Sequence, residues 1–168
     1  SAQSPQGVEH YYRDCLAPSP LTAIAESLIL GILAANPAFA VSSRVYSYHW
    51  PNSTRSGANY DFFANGYKQR NFDIAAALAR SNQVAVITDL KGFYPSVRNE
   101  QIISALKSRL DNADGQHMAS GEAILEFYSQ LLAAGGNGIP IGPASAHVLG
   151  HLVLADVDRD LTQKYGDK

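Results

Sequence analysis

The sequence predicts a mixed α+β chain, and three observations carry that reading. A short apolar run, Val84-Ala85-Val86-Ile87-Thr88, ends on Asp89. Two later stretches, 99–110 and 120–132, repeat their apolar residues at helical spacing, and Arg44 to Trp50 (RVYSYHW) alternates as a strand does. With 168 residues, 46% of them apolar, the chain can fill one core, which excludes disorder of the whole.

Pro18-Ser19-Pro20 closes the leading segment, and Ser19 or Thr22 can cap a helix over roughly 21–35. The apolar run Leu28 to Ala35, with Ala38-Phe39-Ala40 after it, imitates the core and cleavage site of a signal peptide. Too many residues precede it, and only Arg13 among them is basic. Leu21 to Ala35 is too short to span a bilayer and reads as a buried helix, so a soluble, cytoplasmic protein is expected. A first residue of Ser suggests a piece of a longer chain.

After the alternating segment comes a turn-rich loop, Pro51-Asn52-Ser53-Thr54, then an aromatic and glycine-rich stretch from Asn59 to Gly66 and a short helix over Phe72 to Arg80. Val84 to Asp89 is the clearest strand, apolar on both faces as a covered central strand is. Asn99 can cap the next helix, built on Ile102, Ile103, Leu106 and Leu110. A helix from Ser120 carries Ile124, Phe127, Leu131 and Leu132 and stops at Gly135-Gly136. Gly138 to Pro143 cannot be helical, whereas Ser145 to Leu161 can.

The net charge of −2 hides an uneven distribution. Residues 44–110 hold nine Lys/Arg against four Asp/Glu, while 111–168 hold three against eight. A phosphate-bearing ligand would be drawn to the basic middle. The single cysteine, Cys15, supports neither an internal disulfide nor a cysteine-rich metal site. His147 and His151 share a helix face at the i, i+4 spacing that zinc uses, but no third ligand accompanies them in the sequence and they read as ordinary polar contacts. Asp89 alone fits two roles: the turn residue that leads into Lys91-Gly92, or a carboxylate at a strand mouth beside the Leu90 carbonyl, where hard cations bind.

Taken together, Asp89 with Gly92-Phe93-Tyr94-Pro95-Ser96, and the later GIPIGPASAHVLGHLVLADVDRDL of residues 138–161, resemble the first and second palm motifs of reverse transcriptases, particularly the bacterial retron-like and phage-defence-associated groups. In that family a metal-binding aspartate is followed five positions later by an aromatic, here Tyr94. The resemblance covers residues 82–161. It implies a partial polymerase right-hand fold, with a fingers-like region over 1–80 and a partial palm over 81–168, its helices packed on a small antiparallel sheet.

The resemblance further implies RNA-directed DNA polymerisation by two-metal nucleotidyl transfer, with an RNA template, a DNA or RNA primer and dNTP substrates. Asp89 would bridge two Mg²⁺ ions and the Leu90 carbonyl would join one. Tyr94, beside Phe93, would exclude a 2′-hydroxyl, and Gly142 would let backbone approach the nucleotide. Ile141 stands where retroviral members have glutamine, and an aliphatic residue there suits bacterial relatives. Ala146 stands where the family usually has serine, with Ser145 one position earlier. Lys68 and Arg70 are candidates for the triphosphate, and Arg44, Arg55, Pro140 and Ser145 for nucleic acid.

One departure is large. The family's aromatic-x-Asp-Asp motif is not in this chain, and Asp156, Asp158 and Asp160 read as the solvated face of a helix. The polymerase activity is therefore expected of a longer protein and not of these residues alone, with an exposed sheet edge through which copies could pair. The alternative is a non-catalytic nucleic-acid-binding or assembly module that keeps the scaffold.

Overall fold

The computed structural model describes residues 15–51, 58–80, 84–113 and 120–165, together with the backbone of 2–3 and 9–10. Its main elements are helices: α1 (Pro20–Ala34), α2 (Phe63–Arg80), the single turn α3 (Phe93–Ser96), α4 (Asn99–Asp111), α5 (Gly121–Gly135) and α6 (Ala146–Tyr165). The only ladder among the described residues is a two-residue antiparallel pairing of β1 (Ala2–Gln3) with β2 (Glu9–His10).

This overturns the expected α+β class and its small antiparallel sheet. Val84 to Leu90 forms no strand, and Val84, Val86 and Ile87 are more than four-fifths exposed. A strand is stabilised by the ladder beside it, and no described segment offers Val84–Thr88 that ladder. Arg44 to Trp50 is not a strand either. Its alternation is interrupted at Tyr48, whose φ of 55° is left-handed.

Helices form where apolar residues recur at helical spacing, and two of them carry a local end signal. Ser19 caps α1 by accepting the Thr22 amide at 3.1 Å. Ser120 precedes α5, and Gly136, at φ 84°, ends it. Asn99 does not cap α4 as expected; it is the first helical residue, and the Arg98 amide is held by Gln101 Oε1 at 3.2 Å. α2 begins nine residues earlier than the sequence suggests, running through Asn65-Gly66.

The core surrounds α4. Ile102, Leu106 and Leu110 repeat every four residues and face α5 and α6, where they meet Ile124, Tyr128, Leu132 and Leu149. Leu30, Leu33 and Phe39 complete the cluster from α1 and the 3₁₀ turn Pro37–Phe39 that follows it. α1 is only half a buried helix: Leu30 and Leu33 are enclosed, but Leu21 and Leu28 are about two-thirds or more exposed. No helix among the described residues is long and apolar enough to cross a membrane.

A polar contact crosses this core. Glu26 of α1 is 3% exposed, and its Oε1 accepts both the Ser145 amide, at 2.9 Å, and the Ser145 hydroxyl. Ser145 immediately precedes α6, so the carboxyl group sits at the positive end of that helix. The Tyr128 hydroxyl is buried beside the Ser145 hydroxyl without a well-directed hydrogen bond. Glu26→Ala leaves two buried donors without an acceptor and is expected to lower unfolding stability by roughly 2–4 kcal/mol in urea titration. Glu26→Gln, which keeps an acceptor oxygen, is expected to lose clearly less.

Candidate functional site

The two motif segments meet in space. α3 places Tyr94 so that its carbonyl accepts the Ile139 amide at 2.9 Å. Asn99 pins the other side: its Nδ2 donates to the Gly136 carbonyl at 2.9 Å and its Oδ1 accepts the Gly138 amide at 3.1 Å. Gly138, at φ 90°, lies against the backbone of Tyr94 and Pro95; a Cβ there would stand 2.7 Å from Pro95 Cα. Only glycine allows that approach.

Between them is a groove of about 680 Å³, whose walls include Asp89, Leu90, Phe93, Tyr94, Pro140 and Ile141. Six of the residues named from the sequence therefore line one site. Lys91 lies on the same wall and adds a cation that the sequence reading passed over. Its place two positions after Asp89 was the available signal.

Other expected residues sit elsewhere. Gly142 does adopt a glycine-only conformation, φ 121°, but its open side faces the Leu16 backbone, and the Leu16 amide bonds the Ile141 carbonyl at 2.8 Å. The close approach that the resemblance assigns to a nucleotide is made here by Leu16. Ser145 is fully buried on Glu26. Lys68 and Arg70 are exposed on α2, with the Arg70 guanidinium 4.6 Å from the Tyr67 ring centre. Arg44 lies before the Tyr46–Trp50 aromatics, its amide donating to Ser42 Oγ at 3.3 Å. None of these lines the Asp89 groove. Arg55 lies outside the described residues.

Tyr94 is set from behind by rings. Its hydroxyl is 3.3 Å from His147 Nδ1, and the His147 ring stacks on Tyr48 with centroids 3.3 Å apart and planes 10° from parallel. Tyr60 meets both Tyr48 and His147 edge-on and donates its hydroxyl to the Ala144 carbonyl at 2.9 Å. A Cβ at Gly150 of α6 would stand 3.3 Å from Tyr94 Cε1 and 3.4 Å from Phe93 Cε1, so its lack of a side chain seats both rings. Burial raises the Tyr94 phenol, helped by Tyr48. Burial, with His151 beside it, lowers His147 to about 4, so it is neutral at pH 7 and can accept from Tyr94.

The described residues do not by themselves complete a two-Mg²⁺ site. Asp89 is exposed, and among the described residues no three His, Cys, Asp or Glu side chains come together as metal ligands. Two hard cations need more oxygen ligands than one carboxylate and one carbonyl. This wall supplies at most one corner of such a site.

His147 makes stability depend on pH. Its folded pKa lies below the unfolded value, so the unfolded chain binds the extra proton and stability is full above about pH 6.5 and declines toward about pH 4. Urea midpoints are expected to fall across that window. The His147 share is of order 1 kcal/mol after discounting its partial exposure, and His147→Asn, which keeps an acceptor, should remove it.

The chain matches no family model, and comparisons with curated proteins and with solved structures give no match.

Proposed function

We propose that this chain forms the nucleotide-facing wall of an RNA-directed DNA polymerase site, working in the cytoplasm on an RNA template, a DNA or RNA primer and dNTPs. One observation carries the reading: two segments more than 40 residues apart, each resembling a polymerase palm motif, close on one groove with Asp89, Tyr94, Pro140 and Ile141 in its walls. Lys91 supplies a cation for a triphosphate and Asp89 a carboxylate for Mg²⁺, while the Tyr94 ring, backed by His147 and Gly150, forms a firm wall for the sugar. The other metal-binding carboxylates would come from residues outside those described.

The lone exposed carboxylate favours a second reading, a nucleic-acid-binding or assembly module without catalysis. Titration of the chain with fluorescent dATP and ATP, with and without Mg²⁺, separates the two. The polymerase reading expects Mg²⁺-dependent binding that favours dATP, roughly tenfold weaker binding in Lys91→Gln or Asp89→Asn, and loss of sugar preference in Tyr94→Ala. Binding that ignores Mg²⁺ and all three substitutions would remove it. In primer extension with Mg²⁺ the chain by itself is expected to add no nucleotide, and clear extension would show that it holds a complete site.

A further inference from the structure

Alongside α6 a second cavity is lined by Phe39, Trp50, Val148, Leu152, His151 and Arg109, with a volume of about 290 Å³. Its inner surface is mainly apolar. A polar cleft lined by Asn36, Ser108, Asn112 and Asp156 adjoins it, and Ala38, Arg109 and Arg159 belong to both. An apolar chamber thus opens past two guanidinium groups.

The two arginines differ. Arg159 is exposed and already bonded to Asp156, at 2.8 Å, with Asp160 at 3.8 Å. Arg109 is half-buried, donates to the Ala38 carbonyl at 3.2 Å, and has no carboxylate partner among the described residues. A half-buried guanidinium retains donors for a second acceptor, and its planar fork matches a carboxylate. Asp158 also lines the chamber and repels an anion placed beside it, which leaves Arg109 as the group that favours one. His151 has a buried Nδ1 without a partner, and burial lowers its pKa against the opposing pull of the Asp158 carboxylate.

We infer that this chamber binds a small aromatic carboxylate, its ring beside Trp50, Phe39 and Leu152 and its carboxylate on Arg109. Cavity size, apolar lining and one polar anchor are the attributes of a small-molecule site. Trp50 fixes the chamber's shape, since its indole N–H donates to the Phe39 carbonyl at 2.9 Å and its ring stacks on Tyr60 at 5.5 Å.

Trp50 is the only tryptophan in the chain, so its emission reads the chamber directly. The chain is titrated with 3-phenylpropanoate, with its neutral amide and with inorganic phosphate. The carboxylate is expected to change Trp50 emission saturably, the amide to bind roughly tenfold more weakly, and phosphate to leave the emission unchanged. Arg109→Gln should bring the carboxylate to the level of the amide, and Ala155→Phe, which fills the chamber, should remove both. An absent or unsaturable response, equal affinity for acid and amide, or the same response to phosphate overturns the inference. So does unaltered binding in an Ala155→Phe chain with a native circular dichroism spectrum. The acid-against-amide comparison uses the unmodified chain and stands even if a variant fails to fold.

Discussion

Glu26 reaches through the apolar interior from α1 and takes both donors of Ser145, the residue from which α6 departs. The cost of burying a carboxyl group is met by two hydrogen bonds and by the positive end of the helix. The contact is also specific in a way apolar packing is not, because a shift of either helix along its axis would separate donor from acceptor. It fixes where α6 begins, and so where the loop over 138–145 must end. The position of Ile139, Pro140 and Ile141 against Tyr94 follows from that anchor at one end and the Asn99 clasp at the other.

From this fixed start α6 serves two sides. His147 and Gly150 turn toward Tyr94 and Phe93, whereas His151, Leu152 and Ala155 line the chamber around Trp50. The aromatics Tyr48, Trp50 and Tyr60 link the two, with Tyr48 stacked on His147 and Trp50 stacked on Tyr60. Tyr48 holds a left-handed backbone conformation that costs about 1–3 kcal/mol in a residue with a Cβ. The stack on His147 offsets part of that cost, so the ring contact and the backbone bend depend on each other.

What the sequence made legible was whatever is encoded locally. Ser19 and Gly136 mark helix ends through side-chain and backbone chemistry of their own, and the four-residue recurrence of Ile102, Leu106 and Leu110 names a buried face. Val84 to Thr88 misled because a strand is a relation between segments: β-branched residues favour an extended chain, but only a partner makes a ladder. Glu26 escaped notice because its acceptor role is defined by a residue more than a hundred positions away. For the site, the Asp89 to Tyr94 spacing and the 138–143 loop did lead to one groove, while Lys68 and Arg70 did not, since nothing local to them says which way α2 leaves the core.

α2 has eighteen residues and not one of them is buried. Among the described residues its ties to the rest include the Tyr46 hydroxyl donating to Asp73 at 2.8 Å and the glycine surface of Gly66 against the Tyr46 backbone. An element held this way can open and reclose without disturbing the packing of α4, α5 and α6, and its amides should exchange with solvent far sooner than theirs. Lys68 and Arg70 therefore ride on an arm whose position is inexpensive to change. A polyanion that drew the arm inward would be working against few contacts, and the energy of its phosphate bonds would go into affinity instead of into dismantling the core.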